Sequence, residues 1–294
     1  MSTVTTPPTT DENPTREPKR RNRDRSTNWP VTIIMVVLSL SVLAPLYFAV
    51  VTSLKTPQEL GGSGFGLPAA PQWQNYRTAW DLVDFPLTVM NSLIITAGAV
   101  ILTLLTNSMV AYAIARNLDR KLFKGLYFYF ISALFVPFPI IMLPVVKQTA
   151  LLGMDNRWGL IFLYTVYGLS FNIFLYVGYI KSLPRDLEEA ALIDGASTWT
   201  TFWKVIFPLL GPMNATVGIL TALWAWNDFM LPLVVLSDPD QRTLPLAQFV
   251  FQGQFSTDYP AAFASYLMAL APLVIVYVFA QRWIISGVMR GSGK

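Results

Sequence analysis

The chain has 294 residues, of which 53% are hydrophobic and only 13% are charged, and its mean hydropathy is +0.47. Soluble domains carry about 25% charged residues, so this composition excludes a disordered chain and argues against a soluble globular one. The 21 basic and 17 acidic residues leave a net charge of +4, and the chain has no cysteine and no histidine. Disulfides, thiolate nucleophiles, Cys/His zinc sites and histidine bases are therefore excluded. Metal binding or catalysis by carboxylates remains possible, but the chain has only 17 Asp and Glu residues.

Residues 1–28 differ from the rest because they are rich in Thr, Pro, Asn and Arg and poor in large apolar side chains. Such a segment buries too little surface to offset its ordering entropy, so we expect a disordered basic tail. Its basic run, 19–25, has the composition of a nucleic-acid-binding patch. We favour another interpretation, in which these charges orient the apolar segment that follows them. A secretory signal peptide fits less well, because that segment is long and has no small-residue cleavage pattern.

Six apolar stretches follow, and each is long enough to cross a hydrocarbon core of about 30 Å as a helix of about 20 residues. Lipid offers no partners for backbone groups, so long apolar segments become helices, and the alternation of β-barrel strands is absent. With the N terminus in the cytoplasm, 16 of the 21 Lys and Arg lie inside and five outside. This bias predicts six spans with both termini cytoplasmic. The stretches are 30–52, 86–114, 125–146, 158–180, 209–236 and 261–281.

Prolines interrupt the third stretch, at Pro137, Pro139 and Pro144. Proline removes an amide donor and clashes with the preceding turn, and lipid tolerates such a break only where neighbouring protein or a cavity satisfies the backbone. We therefore expect this span to face the protein interior. A packing kink without a functional role is an equally good alternative.

The segment between the fourth and fifth stretches is the most informative part of the chain. Pro184 suits a first helical turn, acidic residues follow near the positive end of the dipole, and Gly195 suits a left-handed helix stop. The pattern predicts a short cytoplasmic helix over 184–194. A second helical piece should follow, because apolar side chains recur at helical spacing at Trp199, Phe202, Trp203 and Ile206. A plain connecting loop at the membrane surface is the alternative.

The same segment resembles the EAA loop of ABC importer permeases. The resemblance rests on Glu189-Ala190-Ala191, then Gly195-Ala196 after three intervening residues, then Ile206-Phe207-Pro208. Further motifs resemble the maltose-type carbohydrate-uptake subfamily, and specifically its shorter, six-span permease, over about 29–290. These motifs are Thr52-Ser53-Leu54-Lys55-Thr56-Pro57, Asn75-Tyr76, Asn91-Ser92-Leu93, Trp226-Asn227-Asp228-Phe229, Thr243-Leu244-Pro245-Leu246 and Ala280-Gln281-Arg282-Trp283.

The resemblance implies an all-α type I ABC importer permease fold in the bacterial plasma membrane, with 29–294 as the transmembrane domain and a coupling loop at about 182–208. It implies a non-catalytic permease that pairs with a second permease, docks on two ATPase subunits and receives sugar from an extracytoplasmic binding protein. ATP and Mg would be bound by the ATPase, and this chain would bind no cofactor or metal. The residues implied to couple to the ATPase are Glu188, Glu189, Ala190, Ala191, Asp194, Gly195, Ala196 and Pro208.

Polar and aromatic residues inside the spans are the candidates for a substrate path, because ionisable and amide groups in lipid usually face a cavity or a partner. Asp228 is the one acid that we place within a span, and a hydrogen bond to a neighbouring helix is its alternative role. Sugars are often held by such groups beside an aromatic face. The candidates are Asn91, Asn172, Trp224, Asn227 and Asp228.

Two other functions remain as alternatives. An ion-coupled secondary transporter would use mid-membrane carboxylates and internal repeats, but only one such acid is present and no repeat is evident. A membrane-embedded enzyme would need clustered acids, His or Cys. Asp186, Glu188, Glu189 and Asp194 cluster, but without metal-ligand spacing. The sequence does not specify which sugar would be carried.

Overall fold

A computed structural model describes residues 28–62, 64–252 and 258–292, and every regular element in these ranges is helical. The predicted basic tail lies outside the described residues except for Asn28. The described residues divide into two units, with the boundary between Leu46 and Tyr47. Helix α1 (Trp29–Ser53) is 25 residues long, uniformly apolar and long enough to cross a membrane.

The second unit contains the remaining helices, most of which are joined by short connections. The long ones are α3 (Phe85–Arg116), α6 (Arg157–Ser182) and α13 (Tyr259–Ser292). The others are α2 (Gln74–Leu82), α4 (Lys121–Ser132), α5 (Phe138–Leu151), α7 (Asp186–Ile193), α8 (Thr198–Thr201), α9 (Phe207–Leu209), α10 (Gly211–Asn227), α11 (Met230–Val235) and α12 (Leu244–Ala247). A π-helical stretch, Phe202–Ile206, joins α8 to α9, and a 3₁₀ turn, Ala133–Phe135, ends α4.

Two helix pairs are sharply bent. The helix Lys121–Phe135 meets Phe138–Leu151 at 105°, and Thr198–Leu209 meets Gly211–Asn227 at 76°. The first bend confirms the predicted interruption, because the extended backbone of Val136 and Pro137 separates the two helices. The second lies just after Pro208. The predicted fifth stretch, 209–236, is likewise not one helix, since α10 stops at Asn227 and α11 begins at Met230.

Within the described residues, α1, α3 and α6 are individually long and apolar enough to cross a membrane, and two further spans result if each bent pair counts as one. Helix α13 starts with a shorter apolar stretch, Tyr259–Ile275. The count of six spans therefore stays a prediction.

The core of the second unit lies where α3 packs along α6 and α10. One cluster joins the C-terminal halves of α3 and α6 to the segment from Phe202 to Val217. A second joins the middle of α3 and the start of α6 to α10 and α11. A third joins α2, α12 and the start of α13 around Trp226. Helix α3 is thus the element that extends from the predicted coupling loop to the opposite end of the helix stack.

Candidate functional site

The predicted coupling element is formed by residues 186–209, from α7 to the end of α9. Helix α7 covers Asp186–Ile193, close to the predicted 184–194. The prediction that Pro184 lies in its first turn is wrong. Leu183, before the proline, is extended, and Arg185 supplies the first helical carbonyl, to the amides of Glu188 and Glu189. Three acidic residues do lie in the first turn, where the helix dipole favours them.

Gly195 ends α7 in the left-handed conformation, with φ of +81°, as predicted. The amide of Ala196 donates to the carbonyl of Ala191 over 2.9 Å, and the amide of Gly195 donates to that of Leu192 over 3.0 Å. This pair of bonds is the Schellman motif. Ser197 then caps α8 by accepting from the amide of Thr200. The turn between the two helices is therefore short and hydrogen-bonded on both sides.

The second helical piece is only partly as predicted. Phe202 and Ile206 are buried in the core, but Trp199 is 61% exposed and rests edge-on against Trp203, with ring centroids 5.8 Å apart. The expected single apolar face is split, because the π-helical stretch over Phe202–Ile206 widens the turn and shifts the register. Pro208 is exposed in α9, directly before the 76° bend.

The residues assigned to coupling fall into two groups by exposure. Glu189, Ala190, Asp194, Gly195 and Pro208 are exposed, whereas Glu188, Ala191 and Ala196 are half-buried. The most exposed large apolar side chain of α7 is Ile193, at 86%, beside Leu192 at 55%. The outward face of the turn therefore presents apolar side chains with acidic neighbours.

Glu188 is turned toward α3. Its Oε1 accepts from Nε of Arg116 over 2.7 Å, in an ion pair with that guanidinium, and its Oε2 accepts from the hydroxyl of Tyr112 over 2.8 Å. Arg116 also donates to the carbonyl of Leu183 over 3.4 Å. Sequence reasoning missed Tyr112, and it counted Arg116 only among the Lys and Arg that orient the spans. Their spacing of four residues, on one helix face, was the available signal.

A cavity of about 720 Å³ lies between the α4–α5 bend, α6 and the α10–α11 break. Asp228 and Trp224 line it together with Tyr167 and Ser170. A neighbouring cavity of about 310 Å³ shares Trp224 and Tyr167 and is lined by Asn172. The structure thus brings together three of the five substrate-path candidates. The break in the third span borders this space, but Phe135 and Val136 at the break are exposed, so the expectation that this span faces the interior stays a prediction.

The polar groups at these cavities are anchored to different degrees. Asp228 follows the last residue of α10, where its Oδ2 accepts from the Tyr164 hydroxyl over 3.0 Å and its Oδ1 from the Met230 amide over 3.0 Å. The ring of Trp224 stands edge-on to Tyr164, with centroids 5.1 Å apart. Asn172 is 3% exposed, and its Nδ2 has no hydrogen-bond partner among the described residues.

Asn91 and Asn227 lie apart from these cavities. Asn91 is 1% exposed, and its Nδ2 donates to the carbonyls of Asp240 and Arg242 over 2.8 and 3.1 Å. Asn227 donates to the carbonyl of Leu223 and lines a separate cavity of about 250 Å³ beside Trp226. Asn91 therefore has a structural role, since it links α3 to the backbone of residues 240–242.

The segment held by Asn91 has further anchors. The amide of Leu244 donates to the hydroxyl of Ser92 over 2.8 Å, and Gln241 accepts from the amide of Arg157 over 2.8 Å. Asp238 accepts from the amide of Asp240, and this bond lowers the pKa of the carboxyl. Residues 238–244 are therefore fastened to the starts of both α3 and α6.

Comparison with known proteins is consistent with this geometry. Residues 107–290 match the family model described as binding-protein-dependent transport system inner membrane component. The chain is 42% identical to the multiple sugar-binding transport system permease protein MsmG of Streptococcus mutans, over 89% of this chain and 95% of that protein. It is 36% identical to the probable starch degradation products transport system permease protein AmyC of Thermoanaerobacterium thermosulfurigenes, over 90% and 96% respectively.

Among solved structures, a chain of a bacterial ABC transporter involved in the import of the acidic polysaccharide alginate has the same fold. The TM-score is 0.74, with 23% sequence identity over 91% of this chain and 99% of that chain.

Proposed function

The chain belongs to the family of binding-protein-dependent transport system inner membrane components, and from this premise we propose that it is the sugar-translocating permease subunit of an ATP-driven importer. Members of this family are non-catalytic, multi-pass proteins of the bacterial plasma membrane, and this chain is one of them. The substrate class follows from relatives named for sugars and starch degradation products. The alternative, an ion-coupled secondary transporter, has no such support.

The family implies that the chain works with another permease, an ATPase and a substrate-binding protein. We propose a permease heterodimer above two ATPase subunits, with sugar delivered by an extracytoplasmic binding protein. ATP and Mg would bind the ATPase subunits, and this chain would hold no cofactor, metal or nucleic acid. The charge bias of the loops supports six spans with both termini in the cytoplasm, and in this orientation the coupling element would lie on the ATPase side.

The observation that carries the proposal is the form of the coupling element. Its turn is closed by a Schellman motif on one side and a serine cap on the other. A rigid turn of this kind can transmit a push, whereas a loop without internal hydrogen bonds would absorb it. Ile193, Leu192 and Trp199 remain exposed on it, and exposed large apolar side chains on an element outside the core can mark a protein contact. We propose that these side chains, with Glu189, Ala190, Asp194 and Gly195, contact the ATPase.

The cavities at the α10–α11 break are the proposed substrate path. Trp224 and Tyr167 offer aromatic faces, and Asp228 and Asn172 offer hydrogen-bonding groups beside them. This combination suits the apolar face and hydroxyl rim of a sugar ring. Alternating access would open this space to one side of the membrane at a time as the ATPase subunits close.

Reconstitution with the partner permease, the ATPase and the binding protein tests the proposal. We expect ATP hydrolysis to rise when a sugar from an oligosaccharide panel is added with the binding protein, and labelled sugar to accumulate in vesicles only with ATP. Ile193→Asp should reduce recovery of the ATPase with the permease, whereas Ile193→Val should not. Uptake by the purified chain alone, driven by an ion gradient, would contradict the proposal and favour the secondary transporter.

A further inference from the structure

The two adjacent glutamates of the coupling element lie in different surroundings. Successive residues of a helix are rotated by about 100°, and this rotation directs Glu188 and Glu189 to different sides of α7. Glu189 is exposed, whereas the side chain of Glu188 is only 13% exposed and lies against α3. Both carboxylate oxygens of Glu188 accept hydrogen bonds from α3, one from Arg116 and one from Tyr112. The family relationship does not by itself predict this division.

Helix α7 packs mainly against α8 and the π-helical stretch, which belong to the same coupling element. None of its eight residues is buried, so core packing contributes little to its position. The chain enters α7 through Leu183 to Arg185 and leaves it through the Gly195 turn. Arg116 contacts both Glu188 and the carbonyl of Leu183, so one guanidinium joins α3 to the helix and to the segment that leads into it. Charge-assisted bonds of this kind, sheltered from water, are the strong class of hydrogen bond.

We propose that Glu188 is a positioning residue that ties the coupling helix to the last turn of α3, so that motion of the ATPase is delivered to α3. This inference rests on the proposed function. Helix α3 has 32 residues and is therefore about 48 Å long. It packs along α6 and α10 and holds residues 240–244 near its other end through Asn91 and Ser92. A push on α7 thus reaches both ends of the helix stack through one rigid element.

The test uses the whole reconstituted importer and measures sugar transported per ATP hydrolysed, together with the amount of ATPase that co-purifies. We expect Glu188→Gln and Arg116→Gln each to lower the transport ratio about tenfold, the effect of one lost charge-assisted hydrogen bond. The double variant should be no worse than the more severe single one, because both remove the same link. Arg116→Lys should recover part of the ratio, since lysine keeps the charge but not the fork of donors.

Asp186→Asn is the matched control. It removes one negative charge from an exposed position of the same helix and should leave the ratio within about twofold of the wild type. If the Glu188 and Arg116 variants do not assemble, Tyr112→Phe decides the question, because it deletes a single hydroxyl. We expect it to lower the ratio about threefold.

Three results would overturn the inference: a wild-type ratio in Tyr112→Phe, wild-type ratios in assembled single variants, or effects that multiply in the double variant. Failure of the proposed function has a different signature, since the wild-type chain would then neither bind the ATPase nor transport sugar. A wild-type complex that transports sugar and tolerates all these changes would reject only the link through Glu188.

Discussion

The hydroxyl of Tyr164 donates a hydrogen bond to Oδ2 of Asp228 over 3.0 Å, which ties α6 to the break between α10 and α11. The other carboxylate oxygen accepts from the amide of Met230, at the start of α11. Asp228 therefore joins three helices at the edge of the cavity of about 720 Å³. Both of its oxygens act as hydrogen-bond acceptors, a role that a neutral amide oxygen fills in part.

Substitution of Asp228 distinguishes ATP-driven transport from ion-coupled transport. Asp228→Asn keeps an acceptor for Tyr164, so we expect ATP-driven sugar uptake to stay within about threefold of the wild type. Asp228→Ala leaves the Tyr164 hydroxyl and the Met230 amide without their acceptor, and we expect it to destabilise the chain by about 1–3 kcal/mol. Thermal unfolding in detergent and vesicle uptake measure the two effects. Loss of all uptake in Asp228→Asn, with normal stability, would indicate ion coupling through the carboxylate.

A side chain at Gly195 is predicted to be unfavourable for conformational reasons. A Cβ there would meet nothing within 4 Å, but φ is +81°, and this region costs other residues about 1–2 kcal/mol. We expect Gly195→Val to leave membrane insertion intact and to lower the transport per ATP. Gly178→Ala is the control, since Gly178 has equal space within α6 and no positive φ, and alanine there should stabilise the helix by about 0.5–1 kcal/mol. Equal transport ratios in the two variants would contradict a role for the left-handed turn.

Asn91 is predicted to act on stability. Asn91→Ala removes the donor to two carbonyls at a nearly closed site, and we expect a loss of about 1–3 kcal/mol in the free energy of unfolding. Asn91→Asp should be worse, because a carboxylate would face the two carbonyl oxygens. Asn117→Ala is the control, since it removes a similar amide-to-carbonyl bond at an exposed site. Equal melting temperatures of Asn91→Ala and Asn117→Ala would show that the buried hydrogen bonds of Asn91 add no more stability than an exposed one.

Glu59 gives a pH dependence to the segment after α1. Its carboxylate accepts from the amides of Thr56 and Ala69 over 2.8 and 2.9 Å, and these bonds lower the pKa of Glu59 below its ordinary 4.5. A lowered pKa in the folded state contributes stability above pH 4.5 that disappears as the pH falls through the lowered value. The wild type should therefore melt above Glu59→Gln at pH 7, and the difference should shrink below pH 4.5.

The control for this prediction is Asp81→Asn, which removes an exposed carboxylate from α2. A melting difference between wild type and Glu59→Gln that stays constant from pH 7 to pH 3 would refute the assigned role of the two amide bonds.

Much of the architecture follows from the sequence alone. Long apolar stretches must satisfy their own backbone groups and so become helices, and the prolines of the third stretch locate the bend near residue 136. Gly195 is predictable as a helix stop because few other residues accept a left-handed backbone. The predicted start of α7 is two residues early, since Pro184 suits a first turn but also restricts the residue before it to an extended backbone. These are local effects, decided within a few residues.

The tertiary structure alone decided what the polar side chains contact. Asn91 is an amide side chain within a span, as a substrate-path residue would be, but its hydrogen-bond partners are carbonyls about 150 positions away in the sequence. Glu188 and Glu189 are adjacent and chemically identical. Only the position of α3 relative to α7 allows Glu188 to bond to Tyr112 and Arg116 and leaves Glu189 exposed. Helical periodicity shows that the two point in different directions, but not which direction is inward, because that depends on the neighbouring helix.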